Sequence, residues 1–450
     1  MSSGIVKRQV HPPAVAGSGG RQLCDLGAEV VDSQGGRSAG QAEFFASDDH
    51  CPAEMRLAVI TTHPIQYQCP VWRRLASRPE VVLKVFFASD CSVRGYHDAG
   101  FARQVQWSVP LLDGYEHAFL GSGPVSRWTT GPMLGARSLS RSLRVFRPDV
   151  CLLNAYSPLL YWHALGVCRL AGVPVLLRAE ATDVDRHRGG LHRCIRDLSL
   201  RWFYSGVARC LAIGVNSRAH YVRLGVGPER IGFAPYCVDT DLFARQYSSR
   251  IPGKLRERLA ISGDSVVVLF SGKLIPKKDP LTLLKAVASQ PAIAHRPVHL
   301  VFLGDGPLRL ELEDQAAASA PGRVHFLGFQ QQESLGDVYA DADMLVLPSV
   351  YEETWGLVVN EALQFGVPCV VSDRVGCAPD LIAPGRTGEV FAHGDVGSLR
   401  DAIVRLAASK VERGPEVHEW CRSHVSGYSI DAAVNGILAA ASAARRRAAC

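Results

Sequence analysis

From Met55 onward the chain alternates short apolar runs with longer amphipathic stretches. RLAVITT is an apolar run that ends in the polar loop HPIQYQ, and PVWRRLASR follows with a proline suited to a first helical turn. VVLKVFFAS is the next predicted strand. The segment from Asp90 to Arg137 follows neither period and reads as a long loop, and its aromatics argue for function rather than disorder. Beyond it the pattern predicts helix LGARSLSRSLRVF, strand DVCLLN, a helix around YWHALGVCRLAG and strand VPVLLRAE. A further helix, strand RCLAIG, short helix NSRAHYVRLG and short strand RIGFAPY complete the series. Alternating units of this kind build a parallel sheet covered by helices.

The stretch CVDTDLFARQYSSRIPGKLRERL has no strand pattern and reads as a linker. After it the cycle restarts with SVVVLFSG and runs through strands VHLVFLG, VHFLGF, MLVLPS, PCVVSD and EVFAHG, separated by helical segments. The expected fold class is α/β, two Rossmann-like domains whose parallel sheets face each other across a cleft. Residues 55–238 form the first domain, 239–416 the second, and 417–450 a helical segment crossing back to the first. Residues 1–54, rich in Gly, Ser, Gln and charge without periodicity, read as a disordered or non-native extension.

Composition narrows the function classes. With 450 residues, 47% of them hydrophobic, the chain suits two medium domains. A net charge of +6 is mild: it fits a phosphate-bearing substrate, an anionic membrane surface or merely surface arginines, and is low for a nucleic-acid binder. Thirteen scattered cysteines without a CxxC pair give no zinc ribbon or redox dithiol and suit reduced thiols in the cytosol. No apolar run is long enough to span a bilayer. The tail GILAAASAARRRAAC leaves two readings open, a packing helix with a solvated end or a contact with anionic membrane. GxGxxG after a first strand, the GxxxxGK phosphate loop and HExxH are all missing, which disfavours dehydrogenases, P-loop kinases and zinc proteases. Asp305, Asp341 and Asp343 read as cap or turn residues, and no metal site is evident.

Two segments carry candidate chemistry. In PSVYEETWGLVVNEALQFGVPCVVSD a strand ends at Pro348 and a helix opens near Gly356, which places Glu353 in a strand-end loop and Glu361 more than a turn into the helix. Backbone N–H groups at Gly356, Leu357 and Val358 would form a cradle for a diphosphate. Taken singly, each glutamate reads more readily as a solvated surface acid, and the surrounding pattern is what points to a site. In GKLIPKKD, Gly272 and Lys273 follow a strand and Lys278 lies five residues on, so two lysines can converge on an anion. Such cations stabilise a leaving nucleoside diphosphate, which gains charge as the glycosidic bond breaks. Alone, that segment fits a solvated loop.

Together GKLIPKKDPLTLLKA, LVFLGDGPLR, VHFLGF, LPSVYEETWGLVVNEALQFGVPCVVSD and GRTGEVFAHGD resemble, in order, the retaining glycosyltransferase family 4 of the GT-B fold. The HPIQYQ loop resembles a smaller bacterial branch with a His-Pro-Ile-Gln-Tyr motif. The resemblance implies that Glu353 holds hydroxyls of the donor sugar, Glu361 the ribose, and Lys273 and Lys278 the diphosphate with amides near Gly356 and Leu357. Phe329 would lie near the base. His63, Gln66 and Tyr67 would line the acceptor side, with a core or turn role for His63 equally open. Glu180, after strand VPVLL, stands where many relatives place a histidine, and either contacts a sugar hydroxyl or marks a differently organised site.

The implied activity is metal-independent, retaining transfer of a hexosyl group from a nucleotide-sugar to a glycan or lipid-linked acceptor. Cell-surface polysaccharide or glycolipid synthesis is the expected setting, in the cytoplasm or peripherally on the inner membrane face. No cofactor and no nucleic acid is expected. An epimerase of the same fold and a non-catalytic nucleotide-sugar binder are the competing readings.

Overall fold

A computed structural model describes residues 54–98, 100, 101, 103–121, 136–183 and 190–449. The expected extension, apart from Glu54, lies outside the described residues.

The strands are β1 (Met55–Thr61), β2 (Val81–Phe87), β3 (Tyr96–Asp98), β4 (Arg103–Val105), β5 (Glu116–Phe119), β6 (Val150–Leu153), β7 (Val175–Arg178), β8 (Arg209–Ala212) and β9 (Ile231–Phe233). Those of the second half are β10 (Val266–Ser271), β11 (Ala292–Ile293), β12 (Arg296–Leu303), β13 (Val324–Gly328), β14 (Met344–Leu347), β15 (Cys369–Ser372) and β16 (Gly388–Phe391). Among the described residues the first sheet has order β5-β2-β1-β6-β7-β8-β9 and is parallel throughout. The second has order β11-β12-β10-β14-β15-β16, with β13 also on β12 and β11 alone antiparallel.

Each sheet is buried on both faces, as parallel sheets require. Successive side chains of β1 part to opposite sides: Leu57 and Val59 join one apolar cluster, Ala58 and Ile60 the other. On β10, Val266, Val268 and Phe270 oppose Val267 and Leu269 in the same way. In both sheets the first strand lies where the strand order reverses, β1 between β2 and β6, β10 between β12 and β14. Crevices outside the carboxyl ends at such points are where open α/β sheets hold ligands. The HPIQYQ loop follows β1, and GKLIPKKD follows β10.

Two expectations need correction, and the open question of the tail is decided. EHAF, inside the segment read as loop, forms β5 at the sheet edge, and β3–β4 form a hairpin there. The stretch read as a linker folds into helices Thr240–Ser249 and Lys254–Arg258, because Asp239 caps the first through Leu242 N and Phe243 gives it a buried anchor. The tail takes the packing alternative: Ala433, Val434, Ile437, Ala440, Ala441 and Ala444 of helix Ile430–Ala449 are buried against the first sheet. Gly436 lets that helix approach, since a side chain there would fall 2.0 Å from the Phe233 carbonyl oxygen. The preceding helix, Val396–Ser426, breaks at Arg413 ahead of Pro415, and Val417, Cys421 and Val425 beyond the break still pack on the second domain.

Candidate donor site between the two domains

The loop after β14 is braced from several sides. Ser372 Oγ donates to the Ser349 carbonyl, and Ser349 Oγ donates to Glu353 Oε2 at 2.8 Å. Gly376 N–H donates to the Glu353 carbonyl at 2.8 Å. Gly356 then turns with φ +103°, where a side chain would press Leu347 at 2.8 Å, and helix Leu357–Gln364 begins. The first-turn amides of that helix, Leu357 and Val358 among them, have no helical acceptors. Trp355 is buried and its indole N–H donates to Asn360 Oδ1 at 2.8 Å, fixing the loop to the helix it precedes.

Lys278, in the short 3-10 turn Pro276–Lys278, donates through Nζ to Glu353 Oε2. The pair is largely buried, with side chains 15% and 11% exposed. Burial alone would raise the Glu353 carboxyl, but the Lys278 ammonium overrides it and holds the group below the ordinary carboxylate range. The Lys278 stem passes Gly272, whose backbone lines a hollow of about 180 Å³ between the domains. Phe329, Val358 and Glu361 share that hollow with Gln66, Phe101 and Trp107 of the first domain. Lys278 and Glu353 are neighbours of the hollow through Gly272 rather than part of its wall.

Glu361 accepts from Tyr339 Oη at 2.7 Å, and burial pushes its carboxyl up to about 7. A raised carboxyl is neutral in sign for stability below about 4.5, its ordinary value. It destabilises the fold increasingly as pH climbs to about 7, and fully above that. Because the side chain is only half-buried, the effect is about 1–2 kcal/mol, short of the full shift. Glu361→Gln should therefore melt several degrees above wild type at pH 8 and level with it at pH 4.5. Equal differences at both pH values in a thermal scan would contradict this assignment.

The other lysine is placed differently from expectation. Lys273 does not point with Lys278 into one open anion cradle; its Nζ donates to both carboxylate oxygens of Asp98 at 2.9 Å and lies 4.8 Å from the Phe101 ring centroid. Asp98 ends β3, and its side chain also accepts from the Gly100 and Phe101 amides at 2.8 and 3.1 Å. Burial opposes the Asp98 charge, yet Lys273 and these amides keep its carboxyl below the usual range. A side chain at position 100 would fall 2.6 Å from Lys273 Cδ, so the glycine there admits the lysine. Phe101 meets Phe329 edge-on at 5.0 Å between centroids, and Trp107 lies 6.1 Å from Phe329. A diphosphate reaching Lys273 must displace Asp98. Asp98→Asn keeps the turn acceptor and removes the competing charge, so a nucleoside diphosphate should bind about 3–10-fold more tightly in calorimetry. Weaker binding would mean that the ion pair builds the site instead of blocking it.

Gln66 reaches the same hollow from the first domain. It lines the hollow with Glu361 and Gly272. His63 bonds through Nδ1 to Thr62 Oγ1 at 2.9 Å and is half-buried, which lowers its imidazole from the ordinary value. Tyr67 rests on Tyr236 at 5.5 Å, with its hydroxyl 3.4 Å from Glu180 Oε1. Glu180 spans the cleft: Oε2 accepts from Thr354 Oγ1 at 2.6 Å and Oε1 from the Tyr236 hydroxyl. Arg178 is structural. Buried beneath the cleft, its guanidinium donates to the carbonyls of Ala234 (3.0 Å) and Pro235 (2.5 Å). Asp305 accepts from the Gly306 N–H at a turn and Asp341 from the Gly253 and Leu255 N–H groups at a helix start, whereas Asp343 is no cap or turn residue: it accepts from Val267 N–H of β10 and pairs with Arg256 and Lys410.

Asp98, Phe101, Trp107, Tyr339 and Thr354 were not singled out from the sequence. The first three sit in the aromatic loop 90–137, whose composition signals function but not the residue that meets the second domain.

Residues 253–418 match the family described as glycosyl transferases, group 1. The match covers most of the second domain and is a similarity to that family. A D-inositol 3-phosphate glycosyltransferase from Mycobacterium leprae is 34% identical over 229 residues, 47% of this chain and 49% of that one. The chain thus spans about half the length of the curated relatives it matches. Among solved structures, Anabaena HepE in complex with UDP aligns with TM-score 0.64 at 17% identity, covering 86% of this chain and 100% of that one. Sucrose-phosphate synthase from Thermosynechococcus elongatus aligns with TM-score 0.65 at 18% identity, covering 85% and 97%. At these identities the likeness is one of fold, and the fold is GT-B. The matched segment contains Gly272, Lys278, Phe329, Glu353, Val358 and Glu361, while Gln66, Asp98, Phe101 and Trp107 lie outside it.

Proposed function

We propose that this protein is a glycosyltransferase that moves a sugar from a nucleoside-diphosphate donor to a hydroxyl of a glycan or lipid-linked acceptor. The carrying observation is the hollow at the reversal point of the second sheet, walled by Gly272, Val358, Phe329 and Glu361 and adjoined by the buried Lys278–Glu353 pair. A nucleoside fits it by chemistry: Phe329, Phe101 and Trp107 offer faces and edges to a base, and Glu361 accepts from ribose hydroxyls. The diphosphate would cross Gly272 toward Lys278 and the free amides of Leu357 and Val358, with the sugar at Glu353. His63, Tyr67 and Glu180 face the remaining part of the cleft, where the acceptor would enter. Cationic side chains and helix amides supply the charge stabilisation that a divalent metal gives elsewhere, so we propose metal-independent transfer. Retention of configuration and a role in surface polysaccharide or glycolipid synthesis, from the cytosolic side, complete the reading. UDP, present in the HepE structure, is the first nucleotide to try.

The test is a thermal-shift panel of UDP, GDP and ADP and their sugars, followed by product analysis. Stabilisation by one nucleotide family and sugar transfer to an added acceptor is the expected result. Sugar interconversion without acceptor would indicate an epimerase, and a flat panel would remove the nucleotide reading altogether.

A further inference from the structure

Helix Gly190–Ser205 of the first domain has one face in the core, through Leu200, Phe203 and Tyr204, and another that is unpartnered. Leu191, Ile195, Leu198 and Trp202 are 74, 61, 70 and 62% exposed. At about 100° per residue these four fall within roughly 60° of arc, a continuous stripe along the helix. Scattered exposed apolar residues are ordinary, but a stripe of four large ones is not. Trp202 is braced, stacking on Trp162 with centroids 5.6 Å apart and planes 7° apart. The exposed charged or imidazole side chains of this helix are His192, Arg193 and Arg201, of which His192 and Arg201 border the stripe while Arg193 falls on the other side of the helix. Its acid, Asp197, is shielded, accepting from Arg223 at 2.5 Å and from Arg196 at 3.2 Å.

We infer that this helix is a docking surface for an anionic lipid bilayer, lying flat with the stripe in the headgroup–acyl boundary. Charge decides among occupants. A second copy packed helix to helix would set basic side chains against basic side chains, whereas acidic headgroups complement His192 and Arg201 beside the stripe. Arg201 and His192 flank the stripe on opposite sides, and the Trp202–Trp162 pair presents the amphipathic aromatic surface that favours the interface. This differs from the reading of the basic tail as the membrane contact, because the apolar face of helix Ile430–Ala449 is already covered. The inference does not rest on the donor assignment.

The test is co-sedimentation of the full chain with phosphatidylcholine vesicles, with and without phosphatidylglycerol. Wild type should bind the mixed vesicles and much less the zwitterionic ones. Ile195→Glu and Leu198→Glu, both at exposed positions, should each weaken binding roughly tenfold or more with unchanged melting temperature. Arg201→Glu should weaken binding to the anionic vesicles only. Absence of vesicle binding by wild type, or equal binding by the Glu variants, overturns the inference. So does a concentration-dependent dimer in sedimentation equilibrium that Leu198→Glu abolishes, which would assign the stripe to a second copy.

Discussion

Glu353→Gln is expected to lower kcat for sugar transfer by about 10²–10³-fold while changing the donor KM by less than about fivefold. Gln preserves the shape of the side chain and can still accept from Ser349, so the loop after β14 keeps its brace. What it loses is a full negative charge at a desolvated point, held ionised by Lys278. Charge-assisted hydrogen bonds to the donor sugar would strengthen as its ring gains positive character, so the loss falls on the transition state more than on binding. Removing one member of a buried ion pair also destabilises the fold, and a drop of some degrees in melting temperature should accompany the kinetic loss. The two effects separate by assaying well below the variant's melting point. Turnover by Glu353→Gln within twofold of wild type would end its central assignment.

The parts of this site that are local in sequence are legible in the sequence. LPSVYEETWG and GKLIPKKD each combine a strand end, a glycine with a special backbone and charged residues within a few positions, and the sheet's reversal point brings the two loops together. Distance in sequence is what hides the rest. Asp98 and Lys273 are 175 residues apart, as Glu180 and Thr354 are 174, and no local period announces either pairing. Lys273 was therefore assigned to an anion that, in this structure, Asp98 replaces with its own carboxylate. The stripe on helix Gly190–Ser205 shows the same limit for apolar residues. Helical periodicity reveals that a face is apolar, yet Leu198 and Leu200 are equally apolar, and only the packing shows that Leu200 is covered and Leu198 is not. The tail was ambiguous for that reason too, and the packed position of Ile437 and Ala441 resolves it.

Lys278→Met should lower kcat/KM by about 10³-fold, with a smaller change in nucleotide affinity. Methionine fills much of the same volume beside Gly272 without the charge, so the loss reports electrostatics rather than packing. Added Mg²⁺ or Mn²⁺ should not restore the rate, and a chelator should leave wild type unaffected, since transfer is proposed to rely on side chains and amides. The variant has a second signature in its pH profile. In wild type, burial pushes the Glu353 carboxyl up and Lys278 more than reverses it, so the group stays ionised at pH values well below neutrality. Without Lys278 the burial contribution prevails and the carboxyl titrates at higher pH. The residual rate of Lys278→Met should accordingly climb along an acid limb that lies at higher pH than that of wild type. The double variant with Glu353→Gln should lose this climb, and its kinetic deficit should be far smaller than the product of the two single deficits, as for groups acting as one unit. A Lys278→Met enzyme with its acid limb unmoved would show that the two residues, although bonded, do not share the reaction.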